Sequence, residues 1–303
     1  MVKNFLFHRV SPERDVLWDP MDVKLFDKCI RYISRNYDVV TIESLPRLSP
    51  GKKYATISFD DGYKDNIIYA LPILETYGVK ASFYIVTDCI NNNIPTWTYI
   101  LDYLFNHTRK IKIHLDFDFI NKEFRENNID TSAARITIVK KLKPALKILN
   151  HDQRTLVLNE VISVLNDVTI PDLMMSWNDL EILKSKGHLV GSHTVSHCML
   201  GTMTDETQIE YELKASALEI EKRLGFFPDT ISYPVGSYND TTIRLSKAVG
   251  YKIGLAVNQD VFIPQRDSVY EIPRIELYNE SWFKTKLRIS HTLEHIKKIV
   301  KYR

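Results

Sequence analysis

Residues 54–62 have the sequence Tyr54-Ala55-Thr56-Ile57-Ser58-Phe59-Asp60-Asp61-Gly62. The apolar part predicts a buried strand, and the two carboxylates with the glycine predict a turn where that strand ends. Similar strand patterns, most of them separated by helical patterns, occur at residues 4–10, 39–42, 81–86, 188–192, 230–233 and 252–257. About seven strand–helix units predict an α/β fold in which a mostly parallel sheet forms a closed or nearly closed barrel.

Residues 96–171 interrupt this alternation. Apart from one short strand pattern at 110–115, the segment has helical patterns at 97–107, 131–149 and 152–165. We therefore expect a helical insertion between two barrel strands, where inserted segments often shape a substrate cleft. The whole chain, 1–303, is expected to be one barrel domain that carries this insertion.

The composition limits the possible functions. Hydrophobic residues make up 44% of the 303 residues, charged residues make up 26%, and the formal net charge is +2. These values are typical of a globular protein, and they exclude the strong basic field of a dedicated nucleic-acid binder. One helix of the insertion has a basic face formed by four lysines, Lys140, Lys141, Lys143 and Lys147. We expect this face to be solvated, and contact with an anionic lipid or a sugar phosphate is the less favoured alternative.

The N-terminus and the cysteines bear on the compartment. His8 and Arg9 interrupt the first apolar run too early for a signal-peptide core, and no stretch has the length of a transmembrane segment. Three cysteines without C-x-x-C spacing do not suggest a disulfide framework. We expect a cytoplasmic protein, with peripheral contact to the inner face of the membrane left open.

Two motifs carry candidate chemistry. Adjacent carboxylates, Asp60 and Asp61, can divide the tasks of accepting a proton and binding a metal ion, although Asp-Gly is also a common turn. His193 and His197 follow another predicted strand, and imidazoles at this separation converge if the segment is a helical turn or a tight loop. Two histidines and a carboxylate make a three-ligand catalytic metal site, whereas Cys198 is expected only to pack.

The order of three motifs resembles that of the NodB-like polysaccharide deacetylases, carbohydrate esterase family four. The motifs are F-D-D-G at 59–62, H-T-x-x-H at 193–197 and Y-P-x-G-x-Y-N at 233–239. The resemblance covers almost the whole chain outside the insertion. It implies a distorted (β/α) barrel that removes acyl groups, usually acetyl groups from sugars of the N-acetylglucosamine type.

The resemblance also implies roles for individual residues. Asp60 corresponds to the general base, and Asp61, His193 and His197 correspond to the ligands of one divalent cation. Zinc is the preferred ion, with cobalt and nickel as alternatives. The backbone N–H of Val235 is the candidate donor to the oxyanion, because the proline before it has no N–H.

The sequence departs from the family pattern in two places. Many members have an arginine where Ser232 stands, and that arginine pairs with the base. Arg274 is a candidate replacement for it, and the equal alternative is that Arg274 forms only a surface or structural ion pair. The late L-x-H pattern of the general acid fits poorly at 287–291. A branch similar to the poly-N-acetylglucosamine deacetylases instead has Y-H-x-V on the first strand, which residues 7–10 match with Phe for Tyr. His8 is therefore the candidate acid, with a structural histidine as the alternative.

The expected function is that of a metal-dependent hydrolase that removes an N-acetyl group from an amino sugar. The substrate would be an oligosaccharide, a nucleotide sugar or a lipid-linked glycan precursor, and Trp177 and Tyr238 are candidates for stacking on its rings. An O-acetyl esterase of the same fold and a non-catalytic carbohydrate-binding barrel remain alternatives. A two-metal phosphohydrolase would need acidic ligands that the sequence does not show.

Overall fold

The computed structural model describes residues 1–49 and 51–293. The strands and α-helices in chain order are β1 (Val2–Phe7), α1 (Val23–Asn36), β2 (Asp38–Val39), β3 (Tyr54–Phe59), α2 (Leu71–Thr76), β4 (Ser82–Ile85), α3 (Thr87–Asn92), α4 (Trp97–His107), β5 (Lys112–His114), β6 (Glu126–Asn128), α5 (Ser132–Ile148), α6 (His151–Val164), α7 (Trp177–Ser185), β7 (Leu189–Ser192), α8 (Glu206–Leu224), β8 (Thr230–Ser232), α9 (Asp240–Val249), β9 (Ile253–Leu255), β10 (Ile275–Glu276) and α10 (Trp282–Ile289).

Seven parallel strands form a curled sheet in the order β10-β1-β3-β4-β7-β8-β9, and β2 pairs with β3 in addition. The chain just before β10 approaches the last strand of this order, because the Ile272 N–H donates a hydrogen bond of 2.9 Å to the Gly254 carbonyl of β9. The same chain then pairs with β1 through β10. The predicted α/β fold, a distorted (β/α) barrel of about seven strands, is confirmed.

The core explains why these segments form strands. Every residue of β3 is buried, as expected for a parallel strand that is covered on both faces. Phe59 stacks on Phe83 of β4 with ring centroids 4.9 Å apart and on Phe7 of β1 at 5.5 Å. The register of these pairs, Phe7 beside Phe59 and Phe59 beside Phe83, places the carboxyl ends of three strands at one rim.

Helix α1 shows how the outer layer is specified. The Asp22 side chain caps its first turn by accepting hydrogen bonds from the backbone N–H groups of Lys24 and Leu25. Its apolar residues repeat at helical spacing and face the sheet, where Phe26, Ile30 and others are buried. The helical pattern in the sequence spans residues 20–36, so the sequence predicts a start three residues before the observed one.

The insertion has its own apolar cluster, built from α4, α5, α6 and the hairpin β5–β6. The strand predicted at 110–115 is β5, but its antiparallel partner β6 was not predicted, since its residues Glu126–Asn128 are all polar. Just after the insertion, the Met175 N–H donates a hydrogen bond of 2.9 Å to the Gly62 carbonyl. This contact fixes the insertion beside the turn that follows β3.

Within the described ranges, no helix is both long enough and apolar enough to cross a membrane. All three cysteines are buried and free of disulfide bonds.

Candidate active site

A cavity of about 310 Å³ opens at the carboxyl ends of the barrel strands, where catalytic groups of such barrels collect. Loops and strands of the barrel and two helices of the insertion, α4 and α5, contribute to its wall. The residues that line it are His8, Trp18, Asp60, Asp61, Thr98, Asp102, Lys143, Lys147, His193, His197, Val235, Val257 and Glu276. All seven candidate site residues except Arg274 are among them, and Arg274 lies directly behind Asp60.

Asp61, His193 and His197 form the centre of this cavity. The Oδ1 atom of Asp61 lies 3.4 Å from Nε2 of His193 and 3.3 Å from Nε2 of His197. All three side chains are buried. Asp61 and Gly62 both have positive φ, 75° and 89°, and this left-handed turn aims the second carboxylate of the pair into the cavity.

The three residues fit a metal ion. Oδ1 of Asp61 is a buried acceptor that lacks a hydrogen-bond donor among the described residues, and such orphaned groups are rare in proteins unless a ligand or ion satisfies them. Its two nearest neighbours are imidazole nitrogens, and one carboxylate with two histidines is a ligand set for a catalytic zinc or a similar ion. Burial lowers the pKa of His197 despite the nearby Asp61, which favours the neutral imidazole that binds metals.

The two histidines meet in a tight loop, one of the two geometries that their spacing allows. The Thr194 hydroxyl accepts a hydrogen bond of 3.1 Å from the backbone N–H of His197, and both residues have positive φ, 68° and 57°. His193 Nδ1 lies 2.7 Å from the Ser232 carbonyl. Because a carbonyl can only accept, Nδ1 carries a proton, and Nε2 is the nitrogen that faces Asp61 and could bind an ion.

Glu212 of α8 holds the same loop from behind, a role that was not predicted. Its carboxylate accepts hydrogen bonds from the backbone N–H groups of Val195 (2.9 Å) and Ser196 (3.0 Å) and from the Ser196 hydroxyl (2.6 Å). Charge-assisted bonds of this kind are stronger than neutral ones. The spacing between the two histidines is therefore fixed by a residue that the motif does not contain.

Asp60 is bound by two side chains from other strand ends. Arg274 makes a two-bond fork to it, Nη1 to Oδ1 at 2.8 Å and Nη2 to Oδ2 at 2.7 Å. The Ser232 hydroxyl donates to Oδ2 at 3.0 Å and also accepts from Arg274 at 2.8 Å. Burial alone would raise the pKa of Asp60, but Arg274 and then His193 lower it below its usual range, so the carboxylate stays ionised.

His8 and Val235 complete the rim of the cavity. The Asp60 backbone N–H donates to the Phe7 carbonyl at 3.1 Å, which sets His8 beside Asp60 at the ends of β1 and β3. His8 Nδ1 lies 3.5 Å from the Glu276 carboxylate, which also accepts from the Tyr278 hydroxyl at 2.5 Å. Val235 has a φ of 57°, an uncommon conformation for a β-branched residue, and such strain is frequent at functional sites.

The comparisons with known proteins agree with this geometry. The sequence model of the polysaccharide deacetylases matches residues 47–254. The chain belongs to the polysaccharide deacetylase family.

Its relatives are distant. YxkH of Bacillus subtilis (strain 168), named as a candidate polysaccharide deacetylase, is 22% identical over 206 residues, which are 68% of this chain and 45% of YxkH. The chain thus spans about half the length of this curated relative.

Two solved structures show the same fold as this polysaccharide deacetylase chain. The Streptococcus pyogenes deacetylase PplD, solved with acetate, superposes with a TM-score of 0.61 at 19% identity, covering 95% of this chain and 97% of PplD. A de-N-acetylase from Aggregatibacter actinomycetemcomitans superposes with a TM-score of 0.57 at 14% identity, covering 95% of this chain and 99% of the de-N-acetylase chain.

Some residues considered for this deacetylase site lie elsewhere. Trp177 donates a hydrogen bond to Asn91 outside the cavity, and Tyr238 stacks on Tyr233 with centroids 4.9 Å apart. Neither lines the cavity, whereas Trp18, which no sequence motif indicates, does. Trp18 comes from the loop between β1 and α1, and no pattern in the sequence relates that loop to the motifs.

Cys198 and the late histidine are also outside the cavity. Cys198 is buried in an apolar cluster with residues such as Leu200 and Leu213, as expected for a packing role. His291 lies 3.1 Å from the Gln259 carbonyl and is buried. The structure therefore places His8, and not His291, among the motif residues that line the cavity.

Proposed function

We propose that this chain is a metal-dependent hydrolase that removes an N-acetyl group from an amino sugar. One observation supports the proposal above all. The buried Oδ1 atom of Asp61 is flanked by two imidazole nitrogens at 3.3 and 3.4 Å, immediately beside a second carboxylate that Arg274 keeps ionised. This combination provides both a metal site and a base within one cavity.

Asp61, His193 and His197 would hold the ion, for which zinc is the proposed identity and cobalt or nickel also suit the ligands. When bound, such an ion polarises the acyl carbonyl and lowers the pKa of the attacking water. Asp60 accepts the proton from that water. Because Arg274 and Ser232 occupy its two oxygens from behind, Asp60 is held in a single orientation while it does so.

His8 is the proposed proton donor to the leaving amine. Its ring faces the cavity, and the Glu276 carboxylate 3.5 Å from Nδ1 orients it so that Nε2 is directed away from Glu276. The Val235 backbone N–H is the proposed donor to the oxygen that becomes negative as the carbonyl is attacked. Val235 lines the cavity, and its φ of 57° is left-handed.

An amide substrate is favoured over an ester for a chemical reason. An amine is a poor leaving group unless it is protonated as the C–N bond breaks, and His8 provides an acid for that step. In support, one structural relative is named as a de-N-acetylase. The O-acetyl esterase alternative uses the same site, and the carbohydrate-binding alternative would use the cavity without hydrolysis.

The test is a substrate screen of the zinc-loaded protein, measuring acetate and free amine. N-acetylated amino sugars and oligosaccharides are compared with O-acetylated sugars, and Asp60→Asn serves as the matched inactive variant. Release of amine that Asp60→Asn abolishes supports the proposal. Release of acetate from O-acetyl sugars alone would establish the esterase, and sugar binding that is insensitive to a chelator without any turnover would establish the binding barrel.

A further inference from the structure

The helical insertion brings positive charge into the cavity wall. Lys143 and Lys147 of α5 line the same cavity as Asp60 and Asp61, although the sequence suggested that the basic face of this helix is solvated. Lys140 and Lys141 do point to solvent. The four lysines therefore fall into two pairs, of which only one belongs to the site.

The two cavity lysines differ in their partners. The ammonium of Lys143 forms an ion pair with the buried carboxylate of Asp102 on α4. Lys147 lies one helical turn further along the same face. It is half-buried and, in the part of the chain that the structure describes, its ammonium forms neither a hydrogen bond nor an ion pair.

The surroundings of Lys147 do not compensate for its charge. Burial and then Lys143 lower its pKa, while Glu276 and Asp102 raise it to a smaller extent. A cation in such a position is costly because it has lost part of its hydration without gaining a direct partner. An anion bound in the cavity would provide that partner.

Two further groups in the same wall suit a sugar. Oδ1 of Asp102 is buried and has no hydrogen-bond donor among the described residues, whereas its other oxygen pairs with Lys143. Such an acceptor fits a sugar hydroxyl. Trp18 lines the cavity beside His8, with ring centroids 5.6 Å apart, and an indole ring is a suitable surface for the apolar face of a sugar.

We propose that Lys147, Asp102 and Trp18 form a subsite for a negatively charged group on the substrate, so that the deacetylated amino sugar carries a phosphate or a carboxylate or is linked to a residue that does. This inference rests on the proposed deacetylase function for its reaction but not for its binding chemistry. Lys147 contacts the anionic oxygens, Asp102 accepts a hydroxyl, and Trp18 packs against the ring. The insertion thereby selects an anionic substrate over a neutral one.

The experiment measures binding by calorimetry with three probes: N-acetylglucosamine, its 1-phosphate, and a disaccharide of glucuronate and N-acetylglucosamine. The zinc-loaded wild type is expected to bind at least one anionic probe about 10- to 100-fold more tightly than the neutral one, as for a charge-assisted contact. The phosphate and glucuronate arms distinguish the two sources of charge. Lys147→Gln should abolish the preference, and Lys147→Arg should keep most of it.

Lys140→Gln is the matched control, because Lys140 is on the same helix but exposed. Equal affinity of the wild type for all three probes would overturn the inference, and so would equal loss of the preference in Lys140→Gln and Lys147→Gln. Acetate release from the same probes is measured separately. A charge preference without acetate release would reject the proposed reaction but support the subsite. Acetate release without a charge preference would support the reaction but reject the subsite.

Discussion

Replacing Arg274 by methionine tests whether this residue holds the proposed base. The substitution removes the two-bond fork to Asp60 and the bond from Nε to the Ala256 carbonyl at 3.0 Å. Both partners are almost inaccessible, with side-chain exposures of 0% for Arg274 and 3% for Asp60. Asp60 would keep only the Ser232 hydroxyl as a direct donor from the strand ends behind it.

The expected effect is large. Removing one partner of a buried ion pair leaves an uncompensated charge and costs about 3–5 kcal/mol of stability. That is a large fraction of the roughly 5–15 kcal/mol that stabilises a typical domain. Because the carboxylate would also lose its orientation, we expect acetate release to fall by about 10²- to 10⁴-fold, the range for loss of general-base catalysis. Urea unfolding gives the first quantity, and initial rates give the second.

Arg125→Met is the matched control for stability. Arg125 also pairs with an aspartate, Asp116, at 2.6 Å, but the two side chains are 45% and 55% exposed. Such a pair contributes about 0–1 kcal/mol. If Arg274→Met loses no more stability than Arg125→Met and releases acetate at the wild-type rate, the assignment of Arg274 as the residue that positions the base is wrong.

Three further predictions concern the loop, the acid and the fold. Glu212→Gln should weaken zinc binding about 10- to 100-fold, as for other residues that position metal ligands, because Glu212 holds the loop of the two histidines. Glu210→Gln, on the exposed face of the same helix, should leave zinc binding unchanged. Competition with a chelator measures both zinc affinities, and equal affinities of the two variants would contradict the dependence of the loop on Glu212. His8→Asn should slow amide cleavage by about 10²-fold or more and slow cleavage of an activated acetyl ester much less; equal losses would argue against His8 as the acid. Burial lowers the pKa of His188 from 6.5 to about 4, so the unfolded chain binds the proton that the fold excludes, and stability should fall by up to about 3 kcal/mol as the pH falls from 6.5 to 4. His188→Asn keeps an acceptor for the Ala81 N–H and should make the stability depend less on pH. Urea midpoints measured between pH 6.5 and 4 test this, and the same pH dependence in the variant and the wild type would show that His188 is not its cause.

Local patterns predicted the elements that have strong periodicity. Strand β3 and helix α4 have the predicted bounds, 54–59 and 97–107. These segments have apolar residues at the spacing of their own structure and clear boundaries, so no distant contact is needed to define them. By contrast, β10 has only two residues and was not predicted, because pairing with β1 is what makes it a strand.

Residues that act across elements were not predictable. Glu212 lies in the middle of α8, where a carboxylate usually belongs to a solvated face, and only the fold shows that it faces the histidine loop. Glu276, Trp18 and Lys147 likewise lie on three different elements without a motif. Their shared feature is proximity to one rim of the barrel, which depends on the order of the strands and on the position of the insertion.

Arg274 shows how a physical requirement can be met from another place in the sequence. An ionised aspartate that is only 2% exposed needs a cation, and Ser232, at the position where many family members have an arginine, cannot provide one. The small serine leaves room beside the carboxylate, and the chain between β9 and β10 brings a guanidinium into it, with the serine hydroxyl bridging the two. The sequence left open whether Arg274 replaces the missing arginine or forms an ion pair. In the structure it does form an ion pair, and its partner is Asp60 itself.

If Arg274 supplies the charge that the missing arginine would supply, the double variant Ser232→Arg and Arg274→Ser should recover part of the stability that Arg274→Ser alone loses. Ser232→Arg alone should destabilise the fold, because it crowds two guanidinium groups around one carboxylate.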